Sequence, residues 1–406
     1  MNESKCMVED NSIMKIAVIT NDLCVRGGTH KQVLRLCQYL EKEGMDFKLY
    51  TKYYNPMETY PEFEKFDIVY LKETATKLDS SDSLFNKVKN ATVKRREDRE
   101  LMEMIPLDVD IYNFHDNGML WMMKWAKSKR HAKVVWQTND LPMCFRVWLS
   151  DTYKKSIKNK ISRLIYKSII KNIDKITVNV TKNKDRVVQL MNKDADVLYC
   201  GVDVNDDLKK HFFPMNKIKY NILTAGVFFP RRNYETLVRV IEQLKRESVP
   251  VHLDIIGSTE ENPEYVKSIK ELIDNSGLGN EITIWGQVDE DRYNSLFNEA
   301  DIFSFVNINQ SWGLAVFEAM SCGLPTLVSN SVGAIELLKG GEDSIIVDPL
   351  DVNTICGIIK RLISNEQYYN RISENASTVV KEYAWDKLYS SKLVGVFEQL
   401  MGEVTR

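Results

Sequence analysis

No apolar run in this 406-residue sequence approaches the roughly 18–20 residues that span a bilayer, so a transmembrane helix is not expected. The start, residues 1–11, is polar and acidic and does not read as a secretory signal. There is no Cys-x-x-Cys pair, and seven scattered cysteines, an odd number, suit a reducing cytosol. Neither charge dominates: the net charge of −2 argues against a dedicated nucleic-acid binder. A Gly-x-Gly-x-x-Gly dinucleotide fingerprint is also missing. These absences leave a soluble cytoplasmic globular protein as the expectation, with the Asn-x-Ser/Thr triplets at Asn90, Asn179, Asn309 and Asn375 reading as chance. At 44% apolar and 28% charged residues the composition is ordinary, and the length makes two domains the default.

The chain is organised around Gln310-Ser-Trp-Gly-Leu-Ala-Val-Phe-Glu318 and its continuation to Pro325. An apolar run, 302–306, reads as a buried parallel strand and leads through a polar turn into a short helix with apolar Leu314, Val316, Phe317 and Met320. Gly323 and Pro325 stop that helix before a further strand at 326–329. A helix N-terminus offers unpaired N–H groups and partial positive charge to an anion. Gly313, without a Cβ, lets backbone approach a ligand closely. Glu318, about one and a half turns along, can accept hydrogen bonds from sugar hydroxyls. An ordinary crossover helix with one exposed glutamate is the competing reading.

The N-terminal half opens as strand 15–20, a turn to Gly28, a helix with apolar Val33, Leu34, Leu36, Cys37 and Leu40, and a strand at 47–50. This β-loop-α-β pattern begins a doubly wound sheet, whose ligands sit at the C-terminal ends of the strands. The Gly27-Gly28 pair fits a plain turn as well as a site. Further strands are expected at 67–71, 110–115, 133–138, 175–180 and near 196–201. His115, one of five histidines, stands at a strand end; taken alone, a structural role is the commoner one. Asp108 and Asp110 mimic a metal-binding Asp-x-Asp, but they precede the strand. Residues 72–103 are polar and charged, either a solvated helix face or a binding surface. Between Tyr153 and Lys171, Ile157, Ile161, Leu164, Ile165 and Ile169 share one helical face among seven basic residues. A core stripe with solvated lysines is expected there, and a helix lying on an anionic leaflet is the alternative.

The polar stretch 206–219 reads as a linker. Strand 220–226 then opens a second doubly wound half, followed by Pro230-Arg231-Arg232-Asn-Tyr-Glu235 and a helix from Tyr234. An arginine fork suits diphosphate oxygens, and the place before a helix N-terminus at a strand end favours a site over two surface arginines. Two more strands end in glycine, at Gly257 and Gly286.

The central stretch resembles the hallmark of family-4 retaining glycosyltransferases of the GT-B fold, in which two glutamates bracket seven residues around Phe-Gly-Leu. Glu318 matches the second glutamate, which the resemblance assigns to the nucleotide ribose. Gly313 and Leu314 match residues whose amides meet the diphosphate and donor sugar. Gln310 stands at the first glutamate and Trp312 at the phenylalanine. Gly27-Gly28 is similar to the glycine loop near the donor diphosphate and acceptor. His115 resembles the strand-end histidine that contacts the donor sugar, with Asn113 replacing a histidine two residues earlier. Thr138-Asn139-Asp140 is similar to Thr-His-Asp, and Gly201-Val-Asp203 to Gly-Val-Asp. Arg232, beside Arg231, takes the usual lysine position, and Val227 the usual arginine. Gly286 to Val288 resembles the turn under the nucleotide base, and Trp385 precedes a last helix.

The resemblance implies an α/β protein of GT-B architecture, two Rossmann-like doubly wound domains facing a cleft. Residues 1–205 would bind the acceptor, 206–387 the nucleotide-sugar, and 388–406 would form a helix crossing back. The implied activity is retaining, metal-independent hexosyl transfer from a UDP- or GDP-sugar to a hydroxyl of a glycan or lipid-linked acceptor. Arg231, Arg232 and the N–H groups at Gly313-Leu314 would stabilise the leaving diphosphate, while His115 and Gln310 orient the sugar. No cofactor beyond the donor, no metal and no nucleic acid is implied. Peripheral contact with the inner face of a membrane is an alternative setting. A related GT-B epimerase or phosphorylase, and a non-catalytic partner with the same fold, remain open on Gln310, Val227 and Asn139.

Overall fold

The computed structural model describes residues 14–74, 84–115, 117–129, 132–146, 157–203, 212–214 and 217–402. The polar N-terminus, the start of the basic helix at Tyr153 and most of the 206–219 stretch lie outside the described residues. The chain divides into two compact units, Met1–Tyr199 with Tyr389–Arg406, and Cys200–Leu388.

Seven parallel strands form the sheet of the first unit: β1 (Lys15–Leu23), β2 (Asp46–Tyr54), β3 (Ile68–Lys72), β4 (Ile111–His115), β5 (Lys133–Thr138), β6 (Lys175–Val178) and β7 (Asp196–Val197). Their order is β3-β2-β1-β4-β5-β6-β7, so the winding reverses between β1 and β4. Six parallel strands form the second: β8 (Tyr220–Ala225), β9 (Val251–Ile256), β10 (Ile282–Gly286), β11 (Ile302–Phe305), β12 (Thr326–Ser329) and β13 (Ile345–Val347). There the order is β10-β9-β8-β11-β12-β13, and the reversal lies between β8 and β11. Both sheets are Rossmann-like.

These strands are apolar runs rather than alternating ones because helices cover both faces of a parallel sheet. In the first unit Ala17, Ile19, Tyr112, Phe114, Val134 and Trp136 pack with helical Met122, Met123 and Val187. In the second, Ile222, Leu253, Ile302 and Leu327 pack with Val238, Ile241, Ile269, Ile355 and Ile359. Truncating such a side chain to alanine costs about 2–5 kcal/mol.

The division falls at residue 200 rather than 206 because Gly201 and Val202 are held by the second unit. Val202 bridges Ala384, and a Cβ at Gly201 would lie 2.2 Å from the Trp385 Cα. The last helix, Ser391–Gly402, belongs to the first unit, where Ser390 donates to the Arg35 carbonyl at 3.4 Å.

Helix starts in the second unit follow two rules. Asn262, Asp289, Asp351 and Asn365 each accept a backbone N–H at the start of the helices Pro263–Asn275, Glu290–Glu299, Val352–Ser364 and Glu366–Val379. Such caps contribute about 1 kcal/mol each. The helices that begin after β8 and β11, Tyr234–Arg246 and Leu314–Ser321, have no side-chain cap hydrogen bond.

One expectation is refined and one is corrected. The charged segment read as a solvated helix face or a binding surface contributes the helix Leu84–Met104, most of whose described side chains are exposed while Glu97 and Asp98 are buried. Glu97 accepts from Tyr53 Oη at 2.6 Å and Lys72 Nζ at 2.9 Å, and Asp98 from Lys52 Nζ at 2.9 Å. Charge counted along a sequence does not reveal which residues find partners across a sheet. The correction concerns the helix Ile157–Ile170. Only Ile169 of the expected core stripe is buried; Ile157, Ile161, Leu164 and Ile165 are exposed. The helix is anchored by its last turn and by Tyr166, edge-on to Phe145 at 5.9 Å between ring centroids. Among the described residues no helix is long and apolar enough to cross a membrane.

Candidate functional site

Ligands of doubly wound sheets bind where the strand order reverses, at the C-terminal strand ends. In the second unit that point is flanked by the loops after β8 and β11, which carry Arg231 and Arg232 on one side and Asn307 to Leu314 on the other. The loops are tied together through backbone. Ile308 N–H donates to the Arg231 carbonyl at 2.7 Å, and Asn233 Nδ2 donates to the carbonyls of Val306 and Pro349 at 3.1 and 2.8 Å. Asn233 itself is in the left-handed region, φ 55°, which asparagine tolerates better than most residues.

Arg232 is half-buried and lies along the end of β8. Its Nε donates to the Val227 carbonyl at 3.2 Å, and Nη1 reaches Gln310 Oε1 at a long 3.5 Å. With the Asn307 amide turned as its hydrogen bonding demands, Nη1 also donates to Asn307 Oδ1 at 2.8 Å. A Cβ at Gly226 would stand 2.7 Å from the guanidinium carbon, so glycine is required for this approach. Gly257 is required in turn, since its Cβ would lie 2.1 Å from the Gly226 carbonyl oxygen. Burial pulls the Arg232 pKa down from its ordinary value, opposed by Tyr234 and helped by neighbouring Arg231, yet an arginine stays charged. Among the described residues it forms no ion pair, only bonds to neutral oxygens. A half-buried cation so placed favours an incoming anion. Arg231 is exposed, with its guanidinium 5.4 Å from the Phe229 ring centre.

Gly313 precedes the helix Leu314–Ser321 and leaves its first N–H groups without a side-chain cap. A Cβ there would press to 3.0 Å from the Phe305 ring. Trp312 is buried and stacks on Phe317 at 5.3 Å, so its bulk serves packing. Gln310 is held through backbone, its carbonyl accepting from Gly333 N–H at 3.0 Å. Glu318 Oε2 accepts from Tyr293 Oη at 2.7 Å. Tyr293 sits on the helix that starts just after Gly286 and Val288, joining that turn to Glu318. At Trp285 the β9–β10 register shifts, and Gly286 adopts φ +70°. Trp285 is partly exposed, its Nε1 donating to Asp254 at 2.7 Å and its ring covered by the Arg292 guanidinium at 4.2 Å.

In the first unit the reversal lies between the loop after β1 and the end of β4. Gly27 precedes the helix Gly28–Lys42, which also lacks a side-chain cap, and a Cβ at Gly27 would meet His30 Nδ1 at 3.1 Å. His115 ends β4 and is fully buried. Its Nε2 lies 2.6 Å from Asn113 Oδ1, while its Nδ1 and Asn113 Nδ2 have no hydrogen-bond partner among the described residues. Burial holds the imidazole pKa down at about 3, so it is neutral at ordinary pH. Asp108 and Asp110 are structural: Asp108 pairs with the Lys15 ammonium, and Asp110 accepts the Lys15 N–H at 2.9 Å. Among the described residues no group of three or more His, Cys, Asp or Glu side chains is placed to hold a metal ion.

The second unit therefore gathers Arg231, Arg232, Gln310, Gly313 and Leu314 around one strand-order reversal, with Glu318 and the Gly286–Val288 turn linked through Tyr293. Gly27, Gly28 and His115 occupy the corresponding place in the first unit. Asn307, Gly226, Asn233 and Tyr293 were not singled out from sequence. Only Asn307 left a signal there, as the first polar residue after an apolar strand.

Residues 26–206 match the family described as Glycosyltransferase Family 4, and residues 205–379 that described as Glycosyl transferases group 1. The serotype-specific mannosyltransferase WbdA of Escherichia coli is 27% identical over 165 residues, 40% of this chain but 20% of that protein. The match thus spans about a fifth of that relative's length. Sucrose-phosphate synthase from Thermosynechococcus elongatus has a TM-score of 0.74 at 18% identity, covering 96% of this chain and 100% of that one. HepE of Anabaena, in complex with UDP and glucose, has a TM-score of 0.69 at 15% identity, covering 97% and 99%. The fold is GT-B. With each unit matched and that fold shared, the chain belongs to the family-4, group 1 glycosyltransferases.

Proposed function

We propose that this protein transfers a sugar, with retention of anomeric configuration, from a UDP- or GDP-sugar to a hydroxyl of a glycan or lipid-linked acceptor. The observation that carries the reading is Arg232, a half-buried cation without an ion-pair partner among the described residues, beside an uncapped helix start. As the bond between the anomeric carbon and the diphosphate lengthens, negative charge grows on the leaving oxygens. Arg232, Arg231 and the N–H groups at Gly313-Leu314 are preorganised donors for that charge. Glu318, held by Tyr293, accepts hydrogen bonds from the ribose hydroxyls. Gln310 orients the sugar, and His115, a neutral imidazole at the corresponding strand end of the first unit, is the second candidate for that role. The acceptor oxygen bonds to the anomeric carbon on the face the diphosphate leaves. Its proton passes to a leaving phosphate oxygen, which balances charge and atoms.

HepE holds UDP and WbdA is a mannosyltransferase by name, so the donor panel spans UDP- and GDP-sugars. The test is nucleotide release from that panel, with Glu318→Ala as control. Slow hydrolysis of one donor, abolished by the substitution, supports the reading and names the donor. Failure to bind either UDP or GDP overturns it. Binding with every donor and acceptor inert would instead support a non-catalytic member of the fold.

A further inference from the structure

We propose that the helix Ile157–Ile170 is a docking surface for an anionic lipid membrane. Its outward line is apolar: Ile157, Ile161 and Leu164 are 75%, 54% and 70% exposed, with Ile165 beside them at 42%. Spacings of four, seven and eight residues from Ile157 place these side chains on one stripe. A contiguous exposed aliphatic stripe marks an interaction surface.

The opposite side is already occupied. Ile169 and Ile170 are buried, Tyr166 packs edge-on against Phe145, and the Arg163 guanidinium lies 6.0 Å from the same ring. The stripe therefore cannot turn inward without undocking the helix.

Charge decides the occupant. The helix contains no Asp or Glu. At 100° per residue, Lys160 and, just past the helix end, Lys171 border the stripe next to Leu164, and both are exposed. Lys167 follows on the same border. An apolar protein groove would satisfy the aliphatic line and leave this positive edge unmatched. A lipid surface satisfies both, taking Ile and Leu into the acyl boundary while lysines reach headgroup phosphates. The inference is independent of the transfer reaction, and its test needs no activity.

The test is flotation of the full chain with vesicles of phosphatidylcholine alone, or containing about one-third phosphatidylglycerol. Binding is expected to the anionic vesicles, with little to the neutral ones, and should fall as salt rises. Ile161→Ser with Leu164→Ser should lose roughly a hundredfold, about tenfold per side chain. Lys160→Glu with Lys171→Glu should lose at least roughly 25-fold, about fivefold per lysine. All four positions are exposed, so both variants should melt like the parent, which circular dichroism checks. Absence of binding to anionic vesicles overturns the proposal, as does binding that survives the serine pair. Self-association abolished by the serine pair, without vesicle binding, would assign the face to a second copy and equally overturn it.

Discussion

The two units share a winding and differ in what stands at their strand ends. In the first, neutral groups form a hydrogen-bonded chain. Thr177 Oγ1 donates to Gln137 Oε1 at 2.6 Å, Gln137 Nε2 to Asn139 Oδ1 at 3.0 Å, and Asn139 Nδ2 to Gln32 Oε1 at 2.8 Å. In the second, β8, β9 and β10 lead into or end in glycine, and the Arg232 guanidinium lies against the first of these, Gly226. The scaffold thus determines where a ligand meets the sheet, and the side chains determine its charge. A buried amide chain keeps its own partners and acts as a rigid floor. A guanidinium bonded only to neutral oxygens keeps its charge available to phosphate.

Substitutions at matching places should separate these roles. Arg232→Ala is expected to lower kcat/KM by roughly 10²–10³-fold, the usual range for a donor to developing charge, with little change in melting temperature. Asn139→Ala should do the reverse in kind. It takes away the acceptor of the buried Gln137 Nε2, costing about 1–3 kcal/mol of stability for a buried group left unsatisfied. Kinetics and thermal melts on both variants check the contrast, and equal thermal destabilisation by both would remove it.

Gly226→Ala attacks the same cation without touching it. Its Cβ would stand 2.7 Å from the guanidinium carbon, so Arg232 must leave its place. A loss of roughly 10–100-fold in nucleotide affinity is expected, with Arg232→Ala adding little on top because both changes remove one interaction. Isothermal titration with UDP and GDP on the single and double variants measures this. Full additivity would mean that the glycine acts elsewhere.

Gln310→Glu tests a finer point. Gln310 Oε1 is 3.5 Å from Arg232 Nη1, so a carboxylate there would pair with the guanidinium and compete with the donor's phosphates. Nucleotide affinity should fall by about three- to tenfold, the scale of one partly exposed charged contact. A large gain in transfer would show instead that Gln310 marks a weakened enzyme.

Much of this was legible in the sequence because apolar runs ending in polar turns give both the strands and their ligand ends. Arg231, Arg232, Gln310 and Gly313 stood out because each follows such an end, and Glu318 because it lies on the helix that starts there. Tyr293 did not, since its hydroxyl meets Glu318 across 25 residues and an intervening strand. Gly226 read only as the last residue of a strand, because its need for a missing Cβ comes from Arg232 folding back. Helix 157–170 shows the limit most clearly. Helical period says which residues share a face, and only packing says which way that face points.

His115 gives the smallest effect and the sharpest test of the neutral floor. Its folded pKa, about 3, lies below the value of about 6.5 for an unstructured histidine. The unfolded chain therefore binds a proton first as pH falls, and the native state loses stability from that point down toward the folded pKa. At about pH 5.5 the loss relative to neutral pH should be about 1.2 kcal/mol from this residue. His115→Asn removes the titration, so urea melts at both pH values should show a shallower dependence by that amount. An imidazole NMR titration of the parent checks the same point, with no His115 transition expected between neutral pH and about pH 5. A transition near the ordinary histidine value would mean that the ring is open to water. The first unit's strand ends would then be a solvated surface, and the contrast with the Arg232 site would lose its basis.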